Sequence, residues 1–442
     1  MHVSFVGMGY VGLSTAVCFA NKEFKTIIST HDSSKADLVN KGEPLFNEPR
    51  LKEMLQEAVV KGYLRAVVGR EEAVLQSDVT FITVGTPSKP DGRIDLRFVS
   101  SAAREIGEAL KKKNGDHLVV VKCTVVPGTT DQTVRPLLEE YSGKLCGVDF
   151  LLCFNPEFLR EGSAIHDTLH PNSIVIGEYN RKSGDTLENV YHKFYGEKLP
   201  PVFRTNLSTA ELIKYANNAF LATKISFINT FANICERIPS VDVKTVARAI
   251  GMDHRINPRF LNAGFGWGGS CFPKDVKALI AFSKQLGYEP KMLQAAWEVN
   301  EAQAKHAVEM AKKKLGNLQG KRVAILGLSF KPNTDDMREA RSVLIINRML
   351  NEGAVVVVYD PVAIPNARSI FGDTVDYASS TIDCLKDADC CVLVTEWDEF
   401  KKLEPRVFLE NMHRPILIDG RRIYDPKKFS EKLQYVGIGL GS

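Results

Sequence analysis

Short continuous apolar runs alternate with longer amphipathic stretches over the first half of the chain. The apolar runs have the length and character of buried strands, and they cover residues 2–6, 26–29, 79–84, 118–122 and 150–154. The stretches between them predict helices over residues 13–20, 51–60 and 99–112. Strands that alternate with helices in this way predict a doubly wound parallel sheet.

The pattern changes at about residue 207, where helical stretches follow one another without strands. These cover residues 207–234, 243–250 and 276–286, and Pro290 then opens one long amphipathic stretch over 291–314. After Gly316 the strand pattern returns at 322–326, 355–359 and 390–395. We therefore predict an α/β protein with two Rossmann-type doubly wound domains joined by a helical middle that ends in a long connecting helix. The predicted domains are residues 1–200, 201–315 and 316–442.

Composition excludes several classes of protein. The charge of +4 is small for 442 residues, and the basic residues are not interleaved with aromatic ones, so we expect no nucleic-acid partner. No window reaches the roughly 18 apolar residues of a membrane helix, and the first residues do not resemble a signal peptide. We expect a cytoplasmic protein with no membrane partner. The nine cysteines are scattered without metal-ligand spacing, so we expect neither disulfides nor a metal site.

A glycine turn follows the first strand. Gly7, Gly9 and Gly12 fit the pattern GxGxxG directly between a strand and a helix, where bare backbone can approach a pyrophosphate at a helix N-terminus. This context predicts a dinucleotide cofactor, and the alternative is a merely structural tight turn. The turn at Gly327 lacks the second and third glycines, so we expect the C-terminal domain to bind a different ligand.

The end of the second strand leaves the choice of dinucleotide open. An acidic residue at this place normally accepts a hydrogen bond from the ribose 2′-hydroxyl of NAD. Here the residues are Ser29, Thr30, His31 and Asp32. Asp32 lies at a tolerable distance from Gly12 and is the alternative carboxylate.

The segment 263–275 contains a cysteine with reactive surroundings. Gly264, Gly266, Gly268 and Gly269 predict a backbone that can lie against a ligand, and Cys271 follows them at once. Lys274 supplies a cation, which favours a thiolate. The alternative is a buried cysteine after a flexible loop.

A dehydrogenase with a nucleophilic cysteine can oxidise an alcohol to an acid. Hydride removal gives an aldehyde, thiolate addition gives a thiohemiacetal, and a second oxidation gives a thioester that water hydrolyses. Such chemistry needs an oxyanion donor, a group that holds water and a base. Segments 122–129 and 154–162 end predicted strands on the ligand-binding side. Glu211, Lys214 and Asn218 have helical spacing, although an exposed helix face would show the same spacing.

Together these segments resemble the UDP-glucose/GDP-mannose dehydrogenase family from residue 1 to about residue 425. The residues that carry the resemblance are Gly7-Met8-Gly9-Tyr10-Val11-Gly12-Leu13, Val84-Gly85-Thr86-Pro87, Asn155-Pro156-Glu157-Phe158, Lys214-Tyr215-Ala216-Asn217-Asn218-Ala219-Phe220 and Gly268-Gly269-Ser270-Cys271-Phe272-Pro273-Lys274-Asp275. The motifs are many, ordered and specific.

The resemblance implies a role for each matching residue. Cys271 is the expected nucleophile, Lys214 and Asn218 stabilise the alkoxide and oxyanion, Asp275 and Thr124 hold the water, and Glu157 is the base in hydrolysis. The expected cofactor residues are Gly7, Gly9, Tyr10, Val11, Gly12, Thr30, Asp32, Lys35, Thr86, Thr124, Glu161, Lys274 and Arg338. The expected substrate residues are Phe158, Leu159, Lys214, Asn218, Arg255, Phe260, Gly268, Phe272, Lys331 and Arg421, with Arg255 reaching a neighbouring subunit of a homodimer or larger homo-oligomer.

Within the family, Arg255-Ile256-Asn257 and Asp419-Gly420-Arg421-Arg422 favour UDP-glucose as substrate, oxidised to UDP-glucuronate with NAD and with NADP as a weaker second cofactor. The alternative substrates are GDP-mannose and UDP-N-acetylhexosamines. Two departures from the family pattern are Thr30, which replaces an aspartate, and the pair Phe265 and Trp267, which we expect to affect sugar fit. A two-electron β-hydroxyacid dehydrogenase would have no use for Cys271, and a silent nucleotide-binding regulator would not need the catalytic residues.

Overall fold

The computed structural model describes residues 1–441, which form two compact units. The first unit comprises Met1–Asn217 and Lys277–Phe282, and the second comprises Asn218–Val276 and the chain from Ser283 onward. The boundaries between the two units fall inside two helices. The helix Leu207–Cys235 begins in the first unit and ends in the second, and the helix Phe272–Gln285 contains residues of both units. Each unit contains one sheet of its own.

The first unit alternates strands and helices from its first residue. Its elements are β1 (His2–Val6), α1 (Tyr10–Asn21), β2 (Lys25–Thr30), α2 (Ser33–Asn40), α3 (Leu51–Val60), β3 (Leu64–Val68), α4 (Glu71–Leu75), β4 (Val79–Ile82), α5 (Arg97–Lys112), β5 (Leu118–Val121), a π-helical turn (Thr130–Val134), α6 (Arg135–Ser142), β6 (Leu151–Phe154), α7 (Ala164–Leu169), β7 (Ile174–Glu178), α8 (Arg181–Tyr195), a 3₁₀ turn (Gly196–Lys198) and β8 (Val202–Asn206).

The eight strands pair in the order β3-β2-β1-β4-β5-β6-β7-β8. All neighbours are parallel except β6 and β7, which are antiparallel. The order reverses between β1 and β4, and ligands of such sheets bind at the carboxyl ends of the strands near this reversal. β1, β4 and β5 are buried on both faces, which explains why they appear in the sequence as unbroken apolar runs.

Helices form the middle of the chain. They are α9 (Leu207–Cys235), α10 (Val243–Gly251), α11 (Phe272–Gln285) and α12 (Lys291–Leu315). Asp242 caps α10 by accepting from the backbone N–H of Lys244, and Pro290 precedes α12 as predicted. α11 begins four residues earlier than the predicted 276, directly after Cys271, because Pro273 is favoured in the first turn of a helix.

The C-terminal part of the second unit repeats the same architecture. Its elements are β9 (Arg322–Leu326), α13 (Arg341–Asn351), β10 (Val355–Tyr359), α14 (Ile364–Phe371), β11 (Asp376–Tyr377), α15 (Thr381–Leu385), β12 (Cys390–Leu393), α16 (Asp398–Lys401), α17 (Pro405–Asn411), β13 (Ile416–Asp419), α18 (Pro426–Ser430) and β14 (Gln434–Gly437). The strand order β11-β10-β9-β12-β13-β14 is that of β3-β2-β1-β4-β5-β6 in the first sheet.

The predicted fold class is confirmed: in chain order, an α/β part with a largely parallel sheet is followed by helices and then by a second α/β part with a parallel sheet. The predicted strands at 2–6, 322–326 and 355–359 have the observed bounds. Sequence reasoning did not foresee the antiparallel β6–β7 pair, because the connection through α7 carries no signal of strand direction. The domain boundaries at residues 200 and 315 remain a prediction.

Candidate active site

The three glycines of the turn after β1 each have a different structural environment. Gly7 has φ of +115°, a conformation that L side chains rarely adopt. A β-carbon on Gly12 would lie 2.0 Å from the carbonyl oxygen of Gly7, so only glycine allows α1 to pack this close to the turn. At Gly9, by contrast, a β-carbon would have no atom within 4 Å. The open side of Gly9 leaves room for a ligand to approach the backbone at the start of α1.

Thr30 is the last residue of β2 and is half-buried. Its hydroxyl accepts a hydrogen bond from the backbone N–H of Asp32 at 3.2 Å. Asp32 is the N-cap of α2: it accepts from the backbone N–H of Lys35 at 3.2 Å, and its other oxygen lies 3.6 Å from the Lys35 ammonium. The alternative carboxylate of the sequence analysis is therefore already engaged in capping a helix.

Tyr10 connects α1 to the segment after β6. Its hydroxyl accepts from the backbone N–H of Gly162 at 2.7 Å. Glu48 accepts from the same N–H at 2.7 Å and from the N–H of Ala164 at 2.7 Å. Together these bonds fix the segment that contains Glu161. Sequence reasoning missed Glu48, because nothing in its local sequence signals a partner more than a hundred positions away.

A buried ion pair lies at the carboxyl ends of β5 and β6. Lys214 on α9 places its ammonium 2.9 Å from a carboxylate oxygen of Glu157 and donates to the Glu157 backbone oxygen at 2.5 Å. The second carboxylate oxygen accepts from the backbone N–H of Leu159 at 2.7 Å. Burial acts to raise the pKa of Glu157, but Lys214, the Leu159 N–H and the charge of Lys122 together hold this pKa below its ordinary value. Glu157 is thus a carboxylate at neutral pH.

A second buried carboxylate holds the segment that follows β5. Glu211, one helical turn before Lys214, accepts from the backbone N–H of Gly128 at 2.6 Å, and from the N–H and hydroxyl of Thr130 at 2.7 and 2.6 Å. Burial raises the pKa of Glu211 to about 7 against the effect of these donors. The half-buried Thr124 lies in the segment that Glu211 ties to α9. The helical face of Glu211, Lys214 and Asn218 is buried, which excludes the exposed-face alternative.

Cys271 differs from every other cysteine of the chain. All nine cysteines lie in the described part of the chain, and Cys271 alone is exposed. It directly precedes α11, and its carbonyl accepts the first helical bond from the Asp275 N–H at 2.9 Å. Burial raises the pKa of Cys18, Cys146 and Cys384 to about 12, so those thiols stay protonated. The position beside a helix N-terminus and Lys274 is typical of a reactive thiolate.

Asp275 contacts two other predicted site residues within the second unit, the catalytic candidate Asn218 and the cofactor candidate Lys274. Its carboxylate is almost fully buried; one oxygen accepts from the side-chain amide of Asn218 at 2.7 Å, and the other accepts from the Lys274 ammonium at 2.5 Å. The side-chain amide of Asn218 is therefore held in place by Asp275. The structure brings Asn218, Lys274 and Asp275 together one helical turn from Cys271.

The glycine-rich loop before Cys271 corrects one expectation. Its glycines do not leave an open backbone: a β-carbon on Gly268 would lie 2.3 Å from the carbonyl oxygen of Glu339, and one on Gly269 would lie 2.7 Å from the ring of Phe330. Phe265 and Trp267 are buried, and the Trp267 indole donates to Ser226 at 2.9 Å. The loop is packed core, so the two aromatic departures from the family pattern are accounted for by packing within the second unit.

The remaining predicted residues fall into small groups. In the first unit the ammonium of Lys214 lies 5.4 Å from the ring centre of Phe158. Leu159, the next residue in the sequence, is half-buried, and Thr86, which follows β4, is buried. In the second unit the rings of Phe260 and Phe272 are 6.3 Å apart, and the Lys331 ammonium lies 5.6 Å from the ring centre of Phe330. Three arginines pair with carboxylates: Arg255 with Asp253, Arg338 with Asp336 and Arg421 with Glu396.

The glycine turn of the second sheet is already filled. The carboxylate of Asp360, which follows β10, accepts from the backbone N–H groups of Leu328 and Ser329 at 2.7 and 3.1 Å. It also accepts from the Trp397 indole at 3.0 Å and from the backbone N–H groups of Val362 and Ala363 at 3.0 and 2.9 Å. A carboxylate of the chain thus occupies the place where a phosphate lies in a dinucleotide-binding turn.

Two features are absent from the described residues 1–441. No cluster of three or more histidine, cysteine, aspartate or glutamate side chains in this range could hold a metal ion. None of the helices described there is long and apolar enough to cross a membrane.

Three consecutive parts of the chain match one family. Residues 1–195 match the NAD binding domain of the UDP-glucose/GDP-mannose dehydrogenase family, residues 208–302 its central domain, and residues 324–426 its UDP binding domain. The chain belongs to this family. The recognition made from the sequence motifs is therefore confirmed.

Individual relatives cover nearly the full chain. It is 45% identical to a UDP-glucose 6-dehydrogenase of Haloferax volcanii over 96% of this chain and 97% of that protein. It is 41% identical to a UDP-glucose 6-dehydrogenase of Bacillus subtilis over 96% of this chain and 89% of that one. A UDP-glucose dehydrogenase structure from Pyrobaculum islandicum, 40% identical, superimposes with a TM-score of 0.92 over 99% of this chain and 98% of that chain. A UDP-D-ManNAc dehydrogenase structure from Pyrococcus horikoshii, 28% identical, gives 0.88 over 100% of both.

Proposed function

We propose that this chain is an NAD-dependent UDP-glucose 6-dehydrogenase that forms UDP-glucuronate by two successive oxidations at C6. The observation that carries the proposal is Cys271, the one exposed cysteine among residues 1–441, which directly precedes α11. An enzyme that stopped at the aldehyde would have no use for a reactive thiol at this place. The family membership and the UDP-glucose 6-dehydrogenase relatives support the same reaction.

The first unit supplies the groups for alcohol oxidation. The open backbone of Gly9 would hold NAD, which would supply the hydride acceptor. The C6 hydroxyl loses its proton to water as C6 loses the hydride, and the Lys214 ammonium stabilises the alkoxide that develops. Glu157 holds Lys214 in place through the buried ion pair. The product of this step is an aldehyde.

The second unit supplies the nucleophile for acid formation. The Cys271 thiolate adds to the aldehyde, and protonation of the oxygen gives a thiohemiacetal. Loss of a second hydride to a second molecule of the oxidised cofactor, and of the hydroxyl proton to water, gives a thioester on Cys271. Water then attacks the thioester, the Cys271 thiolate leaves, and the carboxylate is released. We assign Asn218 to the oxyanion, Asp275 and Thr124 to the water, and Glu157 to the proton that the water loses.

UDP-glucose is favoured over the alternative sugar nucleotides. The relatives named as UDP-glucose enzymes are 45% and 41% identical to this chain, whereas the N-acetylmannosamine enzyme of Pyrococcus horikoshii is 28% identical. Arg421 is half-buried at the end of β13, where a parallel sheet presents ligand-binding residues, and we assign it to the uridine diphosphate. We assign NAD as the main cofactor and NADP as a weaker second one, because Thr30 provides no charge against a 2′-phosphate.

We further propose that the working unit is a homodimer formed through α9. Phe220, Phe227 and Ile234 are 65%, 49% and 45% exposed, and their spacing of seven places them on one face of this helix. The ring of Phe227 lies 4.8 Å from that of Phe231, which extends the apolar face. A helix face of this kind can pair with its own copy about a twofold axis. The exposed Arg255 then serves the substrate of the neighbouring subunit.

The reaction is tested by counting cofactor against product. We expect two NADH per UDP-glucose consumed, with UDP-glucuronate identified by mass spectrometry. Cys271→Ala should abolish acid formation while the affinity for UDP-glucose changes little, because the thiol reacts only after the first hydride transfer. Cys146→Ala, at a buried cysteine, is the matched control and should keep full activity. One NADH per substrate with a stable aldehyde, or full turnover by Cys271→Ala, would contradict the proposal.

A further inference from the structure

Lys122 is a buried cation for which the proposed reaction has no role. It follows β5, and its ammonium donates to the side-chain oxygen of Asn155 at 2.6 Å. The same oxygen accepts from the hydroxyl of Tyr191 on α8 at 2.5 Å, while the Asn155 amide donates to the Val175 backbone oxygen at 2.7 Å. A flexible lysine held inside the protein by a neutral partner loses its hydration without gaining a direct ion pair. Some other interaction has to stabilise its charge.

The charges around Lys122 come from two other elements. Glu157, in the segment after β6, favours the charged form of Lys122, and Lys214 on α9 disfavours it. Tyr191 is a neutral donor, because burial raises its pKa well above the ordinary value. Burial lowers the pKa of Lys122 to about 8. At neutral pH the cluster therefore has two ammonium groups and one carboxylate.

The excess positive charge matters for the proposed reaction. Lys214 stabilises the substrate alkoxide, and its electrostatic interaction with Glu157 becomes weaker when it does so. A buried carboxylate that loses its only cation takes up a proton, because burial disfavours the charged form. Lys122 is a second cation for the same carboxylate, and Asn155 and Tyr191 keep it in place.

We infer that Lys122 is a positioning residue that keeps Glu157 ionised while Lys214 stabilises the substrate oxygen. The inference rests on the proposed function, since it acts through Glu157 and Lys214. It assigns to Lys122 an effect on the pH range of the reaction rather than on substrate binding.

The inference predicts the sign of one change in the pH profile. A neighbouring cation favours a carboxylate, so Lys122 lowers the pKa of Glu157, and removal of its charge raises it. Because activity needs the Glu157 carboxylate, the acid limb of the kcat profile moves to higher pH. We expect a shift of about 1 pH unit.

The experiment compares two substitutions in the full-length enzyme. Lys122→Gln removes the charge but retains a donor for Asn155, whereas Lys122→Arg retains the charge. We expect the acid limb of kcat to move upward in Lys122→Gln, with KM for UDP-glucose within twofold of the parent, and to stay in place in Lys122→Arg. The loss in Lys122→Gln should be greatest below pH 8 and should shrink above it, where Lys122 of the parent is itself neutral.

Lys113→Gln is the matched control. Lys113 is another partly buried lysine of the first unit, but it donates to backbone oxygens of Val74 and Leu75, away from Glu157. Its variant should keep the parent profile. Coinciding profiles of Lys122→Gln and the parent would overturn the inference, as would a uniform loss at every pH. A parent enzyme that does not oxidise UDP-glucose would instead overturn the proposed function, so the two failures are distinguishable.

Discussion

Thr30→Asp should increase the preference for NAD over NADP. Thr30 ends β2, beside the glycine turn, at the place where a carboxylate accepts from the ribose 2′-hydroxyl of NAD and repels the 2′-phosphate of NADP. The substitution occurs at a strand end and leaves the Asp32 cap of α2 intact. The new carboxylate also lies near Lys35 and weakens the attraction of this lysine for a phosphate.

The magnitude follows from one charged hydrogen bond. Such a bond contributes about 1.5–3 kcal/mol, and about 1.4 kcal/mol corresponds to a factor of ten in affinity. Because Thr30 is half-buried and solvent screens part of the charge, we expect the lower end of this range. The ratio of kcat/KM for NAD to that for NADP should rise about tenfold.

The assay measures this ratio at saturating UDP-glucose in the parent and three variants. Thr30→Asn separates shape from charge and should leave the ratio within about threefold of the parent. Asp32→Asn keeps a good N-cap but removes the charge. If Asp32→Asn lowers the ratio and Thr30→Asp leaves it unchanged, Asp32 and not Thr30 meets the ribose, and the reasoning about the end of β2 is refuted.

Two further predictions concern structural contacts. Glu211→Gln should lower the melting temperature by about 2–8 °C, because the amide NH₂ would face one of the three groups that now donate hydrogen bonds to the carboxylate. Thr130→Ser keeps both donors of that residue and is the control. An unchanged melting temperature in Glu211→Gln would contradict the reasoning. Phe227→Glu should convert the proposed dimer to single chains of 49.1 kDa in light scattering, with loss of activity. An active monomer, or a dimer that survives this change together with Phe220→Glu, would exclude α9 as the interface.

The parts of the fold that depend on neighbouring residues in the sequence could be predicted from it. The turn at Gly7, Gly9 and Gly12 is one example, because a strand, three glycines and a helix follow one another within twenty residues and each leaves a local pattern. The start of the second Rossmann unit at β9 is another. For the same reason the segments 122–129 and 154–162 could be placed at the carboxyl ends of strands from the sequence alone.

The packing of the Cys271 loop could not be predicted in this way. Its glycines indicate that other atoms pack closely against the backbone, but the sequence does not show whether those atoms belong to a ligand or to the protein. The atoms that fill the space at Gly268 and Gly269 belong to Glu339 and Phe330, which lie 71 and 61 residues further along the chain. Glu48 and Lys122 were missed for the same physical reason, since the hydrogen-bond partners of each are distant in sequence.

The carboxylate of Asp360 has a consequence for how many nucleotides one chain can hold. Because it is part of the same chain, its effective concentration at the turn after β9 is in the millimolar range or higher, as for any tethered group of suitable reach. A free pyrophosphate would have to displace it from the two N–H donors of that turn, Leu328 and Ser329, in competition with this concentration. The same strand order therefore occurs twice in the chain, but the second copy has its turn occupied by a side chain of its own, in the part that matches a UDP binding domain.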